Sequence, residues 1–151
     1  MTALNTLSNT EILQLIRELK SEIKAKSKKL SLAKDNYYER KKIVNEKSLS
    51  DFIQNVESAL GYKFTTRSRK KNIIIVRQIV AYLIYSNFSY IISYREIGKL
   101  FERKTGVKGQ DHSTILHAIR VAGFYKETGD SLFENYYKII EPIFKNHFFN
   151  K

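Results

Sequence analysis

The sequence predicts an all-α fold. Apolar residues recur three and four positions apart through most of the chain, and no segment shows sustained alternation of polar and apolar residues. The chain contains a single proline, Pro142, so few helices would be interrupted. Hydrophobic residues make up 42% of the 151 residues, which is enough for a real core. We therefore expect one compact helical domain with a helical extension.

The first helix is expected to begin near Ser8, because Ser8 and Glu11 have the spacing of a capping box. It could continue to about Lys29 or further. Written as heptads, its apolar residues define an amphipathic stripe with an a line and a d line, which supports about three heptads. Two interpretations remain open, namely a helix packed on its own domain and a dimerising coiled coil. The a line holds Ile16, Ile23, Leu30 and Tyr37, and the d line holds Ile12, Leu19, Lys26 and Ala33.

A domain boundary is predicted between residues 47 and 48. Lys41, Lys42 and Lys47 lead into a serine-containing stretch at residues 48–50, which is typical of a linker or hinge. We therefore divide the chain into an N-terminal helical extension, residues 1–47, and a second domain, residues 48–151.

The charge of the chain favours a polyanionic partner. Its formal net charge is +12 and its isoelectric point is about 9.8. The distribution is more informative than the total, because residues 58–95 contain no Asp or Glu. The basic residues of this stretch are Lys63, Arg67, Arg69, Lys70, Lys71, Arg77 and Arg95.

Residues 93–120 have the layout of a helix-turn-helix. Ser93 and Glu96 form another capping box, and Gly106 and Gly109 supply residues suited to a turn. Asp111 is a strong candidate for the N-cap of the next helix. The apolar stripe of that helix leaves residues 110–114 at its exposed N-terminal end, which is where a recognition helix contacts bases. The stripe consists of Ile115, Leu116, Ile119 and Ala122.

The C-terminal segment from Asp130 predicts an aromatic-rich helix. Such a face more often forms core or a subunit interface than a platform for stacking bases. Its apolar residues at helical spacing are Leu132, Phe133, Tyr136, Tyr137, Ile140, Ile143, Phe144 and Phe148.

Residues 51–125 resemble the C-terminal helix-turn-helix domain, domain IV, of the bacterial replication initiator DnaA, which has a Trp-repressor-like fold. The resemblance implies DNA binding by a stand-alone module, because the G-x-x-x-x-G-K-[ST] motif of the family's ATPase module is absent from the sequence. Gln110 replaces an arginine of the family, and the turn is about five residues longer, so the DNA site should differ. The matching residues are Ile97, Gly98, Phe101, Asp111, His112, Ser113, Thr114 and Ala118.

The resemblance also implies a helix at residues 52–60 and a long apolar helix opened by Arg77 and Gln78. It further implies roles for individual residues. Asp111 could equally be only an N-cap, His117 could be an ordinary surface residue, and the loop at residues 67–71 could simply be solvated. The expected base contacts are Gln110, Asp111, His112 and Ser113. The expected contacts to the DNA backbone or minor groove are Arg67, Arg69, Lys70, Lys71, Arg77, Gln78, Arg95, Thr114, His117 and Arg120.

Other classes of function fit the sequence poorly. No cysteine is present, so thiolate metal sites and thiol nucleophiles are excluded. His112 and His117 are five residues apart, which places them about 140° apart around a helix, too far for a metal pair. We expect no enzyme activity, metal, cofactor or nucleotide. No apolar run approaches the roughly 18 residues of a membrane span, and no signal peptide is recognisable, so a cytoplasmic location is expected.

The expected function is sequence-specific binding of double-stranded DNA, in replication control or transcription regulation, in a bacterial nucleoid or a phage-infected cell. The N-terminal helix would pair two copies or bind a partner protein. The alternative is a structural or protein-interaction component, such as a virion or assembly protein, that uses the same helical scaffold, since a fold does not by itself define a function.

Overall fold

The computed structural model describes residues 7–66, 68–101 and 111–150, and that part of the chain contains six helices and no strand. The prediction of an all-α fold is confirmed. None of the helices within the described residues is both long enough and apolar enough to cross a membrane. In chain order the helices are α1 (Asn9–Ile43), α2 (Glu46–Leu60), α3 (Lys71–Phe88), α4 (Tyr94–Lys99), α5 (His112–Thr128) and α6 (Ser131–Phe148).

The chain forms two compact units, one that extends to Arg40 and one that begins at Lys41. The first unit consists of α1 up to Arg40. As predicted, Ser8 caps this helix, because the Ser8 backbone N–H donates to a carboxylate oxygen of Glu11 over 2.7 Å and the Glu11 N–H donates to the Ser8 hydroxyl over 3.3 Å. α1 is 35 residues long, and none of its side chains is buried.

The predicted linker at residues 48–50 is wrong, because these residues lie within α2. Asn45 caps this helix by accepting a 2.9 Å hydrogen bond from the Ser48 backbone N–H, and the Ser48 hydroxyl accepts one of 2.9 Å from the Asn45 N–H. Val44 and Leu49 are buried on either side of the cap. A serine at the third position of the helix completes the capping box here, so the serine-containing stretch starts a helix instead of joining two domains.

α3 begins at Lys71, so the prediction that Arg77 and Gln78 open this helix is wrong. Both residues lie in its second turn. The helix starts earlier because its first turns already contribute Ile73, Ile75 and Val76 to the core. Half of its 18 residues are buried, and it packs against α4, α5 and α6. Such all-round burial identifies α3 as the central helix of the second unit.

The aromatic face of α6 forms core, as predicted. Its ring contacts reach α2 and α3, with ring centroids 5.4 Å apart for Phe52 and Phe144 and 5.2 Å apart for Phe88 and Phe148. The edge-on arrangement of both pairs is favourable for aromatic rings. The buried residues of α6 are Phe133, Tyr137, Ile140, Phe144 and Phe148.

Candidate nucleic-acid interface

The first helix of the predicted helix-turn-helix is α4, and its cap is confirmed. The Ser93 N–H donates to a carboxylate oxygen of Glu96 over 2.8 Å, and the Glu96 N–H donates to the Ser93 hydroxyl over 3.3 Å. The hydrogen bond from the Ser93 backbone lowers the pKa of Glu96. Ile97 and Phe101 are buried, so the apolar side of α4 is attached to the core.

The N-terminus of α5 presents polar side chains to solvent. Asp111 has extended backbone angles, and its side chain accepts a 2.8 Å hydrogen bond from the Thr114 backbone N–H. The predicted N-cap is therefore confirmed, and this bond lowers the pKa of the Asp111 carboxyl. His112, Ser113 and Thr114 are exposed, whereas Ile115 is fully buried. One side of the first turn is thus anchored in the core through Ile115, and the opposite side, termed the open side, faces solvent.

The open side continues along α5. His117 and Arg120 are exposed, and their spacing of three residues places them on one side of the helix. Phe124 follows four residues later and is also exposed, at 61%. An exposed Phe was not among the residues predicted to contact DNA. Of the predicted apolar stripe, Ile115 and Ala122 are buried and Leu116 and Ile119 are half-buried. Gln110 and the predicted turn glycines Gly106 and Gly109 lie outside the described residues.

A tyrosine pair attaches the start of α4 to α3. The rings of Tyr85 and Tyr94 are stacked with centroids 4.6 Å apart, and the Tyr94 hydroxyl donates to the Tyr85 hydroxyl over 2.9 Å. This hydrogen bond raises the pKa of Tyr94, while the positive charge of Arg120 acts in the opposite direction. The pair therefore joins α3 to α4, and Tyr94 lies close enough to Arg120, a predicted phosphate contact, to be affected by its charge. Sequence spacing contained no signal for it, because the two residues belong to different helices.

The basic loop between α2 and α3 is the second predicted contact region. Arg69, Lys70 and Lys71 are exposed, while Arg67 lies outside the described residues. Lys70 occupies the N-cap position of α3 without a side-chain capping bond, and its backbone N–H donates to the Ser68 hydroxyl over 3.3 Å. The loop thus presents at least three cationic side chains near the start of α3. Arg95, on α4, is also exposed.

Arg77 holds this loop in place. Its Nε donates to the carbonyl oxygen of Phe64 over 2.7 Å, and its Nη2 donates to the carbonyl oxygens of Thr66 and Ser68. A guanidinium group can do this because its donors form a rigid planar fork. Sequence reasoning assigned Arg77 to DNA phosphates and missed this intramolecular role. A contact of Arg77 or Gln78 with phosphate stays a prediction. The side-chain oxygen of Gln78 is buried and has no hydrogen-bond partner among the described residues.

Two further contacts attach the loop to the domain. The Glu57 side chain accepts hydrogen bonds from the Phe64 backbone N–H over 3.3 Å and from the Thr65 hydroxyl over 3.2 Å. The ring of Phe64 is fully buried, with its centroid 6.1 Å from that of Phe101. Phe64 therefore links the loop to Phe101, the second residue after α4. Nothing in the sequence indicated that Glu57 and Phe64 hold the basic loop in place.

Comparison with known proteins agrees with this geometry. Residues 61–121 match the family described as the bacterial dnaA protein helix-turn-helix. The matched residues begin at Gly61, directly after α2, and include the basic loop, α3, α4 and the first ten residues of α5. They make up about two fifths of the 151-residue chain. No curated protein and no solved structure matched the chain. The family match supports DNA binding by this segment.

Replacing Arg77 with Ala should loosen the basic loop. The change removes hydrogen bonds to three backbone carbonyls, each from a charged donor, and should lower the free energy of unfolding by roughly 1 to 3 kcal/mol. Backbone amides of residues 64–70 should also exchange faster with deuterium. Urea unfolding and hydrogen exchange would measure the two effects. Arg69→Ala is the matched control, because it removes the same charge from an exposed side chain and should leave stability nearly unchanged. Equal midpoints for the two variants would contradict the assignment.

The cap of α5 should make stability depend on pH. Because the folded-state pKa of Asp111 is lowered, its ionised form stabilises the folded protein at neutral pH. This contribution should be lost as the pH falls below about 4, through the folded-state pKa. Asp111→Asn retains a capping side chain but does not titrate, so its unfolding free energy should fall less between pH 7 and strongly acidic pH. Thermal unfolding at several pH values would test this, and identical pH profiles for the two proteins would count against the cap.

Proposed function

Because residues 61–121 match the family of the bacterial dnaA protein helix-turn-helix, we propose that this protein binds double-stranded DNA sequence-specifically. The N-terminal end of α5 enters the major groove, and the basic loop at residues 67–71 approaches the adjacent minor groove. The observation that supports this arrangement best is the first turn of α5. Its polar side chains are exposed in consecutive positions, while Ile115 behind them is fully buried.

The exposed side chains of this turn can read base edges. The His112 ring can donate to an acceptor on a base, and the small Ser113 side chain can lie close to a thymine methyl group. Asp111 can accept from the amino group of cytosine. Its Oδ1 accepts from the Thr114 N–H, and a carboxylate has a second oxygen, so capping and base contact are compatible. Gln110 suits adenine, where the DnaA family has an arginine suited to guanine. We therefore propose a DNA site that differs from the family's.

The basic loop contributes to affinity through position and charge. A narrow A·T-rich minor groove has a strongly negative potential and attracts inserted cations such as Arg67 and Arg69. Because Arg77 and Glu57 are hydrogen-bonded to residues 64–66 and 68, less ordering of these residues is needed when DNA binds. Arg77 then acts chiefly by positioning the loop, in addition to the phosphate contact proposed for it. A contact with the DNA backbone is proposed for Gln78 as well.

Phosphate contacts would orient the domain on the duplex. Thr114, His117 and Arg120 follow the base-reading turn along the open side of α5, and Arg95 is exposed on α4. Lys70 and Lys71 extend the basic surface at the start of α3. Contacts of this kind define register and orientation without reading sequence. The proposed biological setting is control of replication or of transcription, including that of a phage or mobile element. We propose that the protein acts by binding DNA and not as an enzyme.

Selection of preferred sequences from a random duplex library should enrich one motif. On that motif, His112→Ala should weaken binding by roughly 1 to 3 kcal/mol, with little effect on random DNA, because a base contact is lost. His117→Ala is the matched control, since it removes the same ring from the same helix and should weaken binding similarly on every sequence. Titrations of both variants on selected and random duplexes would separate the two roles. An equal loss of affinity of His112→Ala on both duplexes would show that His112 does not contact a base.

Binding should weaken steeply with salt. If six to eight phosphates are contacted, affinity should fall on the order of 10³ to 10⁴-fold between 50 and 200 mM monovalent salt. Arg69→Ala should reduce the slope of log affinity against log salt by about one, because it removes about one phosphate neutralisation. Fluorescence anisotropy with a labelled duplex would measure the slope. No enrichment of a sequence combined with a flat salt response would favour the protein-interaction alternative.

A further inference from the structure

The apolar stripe of α1 is exposed from Ile16 to Tyr37, and Ile12 at its start is half-buried. Ile23 and Leu30 are 66% and 58% exposed, and Ile16, Leu19 and Tyr37 are all more than one third exposed. Isolated helices are marginal in water, and most helices gain stability by packing their apolar face against a partner. A stripe that recurs at heptad spacing fits a second helix of the same kind. This observation concerns α1 alone and does not depend on the proposal for DNA binding.

The charges of α1 are distributed unevenly. Residues 9–23 hold three acidic side chains, Glu11, Glu18 and Glu22, and two basic ones, Arg17 and Lys20. The following residues, 24–34, contain no acid. Their basic side chains are Lys24, Lys26, Lys28, Lys29 and Lys34. Residues 9–23 of α1 are therefore slightly acidic, whereas residues 24–34 are strongly basic.

A parallel pair of α1 helices would place the two basic halves against each other. In such a pair, residues on the d line face their own copies, so Lys26 would meet the partner's Lys26 within the apolar contact. Lys29 at a g position would lie beside the partner's Lys34 at the following e position. Repulsion between the two Lys26 residues and between Lys29 and the partner's Lys34 opposes the parallel arrangement. The Lys29–Lys34 contact would occur twice, because the pair is symmetric.

An antiparallel pair relieves both conflicts. With Leu19 placed opposite the partner's Leu30, the a and d lines alternate across the contact and the basic half of each helix faces the weakly acidic half of the other. Glu22 then lies beside the partner's Lys29, twice by symmetry. Lys26 faces the partner's Ile23, which its aliphatic stem can cover while the ammonium reaches water. The remaining layers pair Ile12 with the partner's Tyr37 and Ile16 with the partner's Ala33.

We propose that α1 pairs with α1 of a second copy as an antiparallel coiled coil in this register. The two Arg40 residues then lie at opposite ends of the pair, about 46 Å apart at a rise of about 1.5 Å per residue. Because the chain continues from Arg40 into the DNA-binding unit, the two DNA-binding units leave from opposite ends.

Cysteine cross-linking tests the orientation directly, since the chain contains no cysteine of its own. Ile12→Cys and Tyr37→Cys proteins are prepared separately and oxidised alone or mixed, in the full chain. The antiparallel pair predicts a disulfide-linked dimer only in the mixture, because each residue faces the other type. Dimers in each separate preparation would show a parallel pair and overturn the proposal. A monomeric wild-type protein in analytical ultracentrifugation, or no covalent dimer in the mixture, would also overturn it.

Charge reversal provides a second test that does not require a disulfide. Lys29→Glu places an acid beside the partner's Glu22 twice, once on each side of the pair. The dissociation constant of the dimer should therefore rise about tenfold. The double variant with Glu22→Lys and Lys29→Glu restores opposite charges and should recover the wild-type dissociation constant. In a parallel pair, Lys29→Glu would instead lie beside the partner's Lys34 and strengthen the dimer. Sedimentation at low and moderate salt distinguishes these results, and a strengthened dimer overturns the proposal.

Discussion

The central constraint in the second unit is the need to cover α3 on several sides. Half of its residues are buried, and helices α4, α5 and α6 pack against it. Covering an apolar helix from several directions leaves little choice in the positions of its neighbours, because the interior must be close-packed. The position of α5 follows from this packing through Ile115 and Ala122. The exposed first turn of α5 is thus oriented by contacts on the opposite side of the same helix.

The polar part of the second unit depends on the same helix. Arg77 lies among buried neighbours on α3, and its guanidinium group reaches the backbone of the preceding loop. One charged residue of α3 therefore organises the segment that presents several others to solvent. Glu57 supports the loop from α2, and the buried ring of Phe64 attaches it near the end of α4. Loop order and helix packing are coupled, because each anchor of the loop belongs to an element of the core.

The first unit follows a different rule. α1 has good capping and a clear heptad pattern, yet none of its side chains is buried. Its stability as a helix would be increased by an apolar partner, and its charge distribution restricts which orientation a second copy can adopt. The DNA-binding unit has a core of its own, so pairing through α1 would change how many DNA segments are held without changing how each is contacted.

The sequence alone determined the features that depend on neighbours three or four residues away. The caps at Ser8, Ser93 and Asp111, the helical class and the resemblance of residues 93–120 to a helix-turn-helix all rest on such local spacing. The cap at Asn45 was equally local, but the serine at its third position was interpreted as linker composition. Only the tertiary structure decided that Arg77 holds the loop and that Tyr85 stacks on Tyr94. Those contacts join residues in different elements, and their partners depend on how the helices pack around α3, which no local pattern specifies.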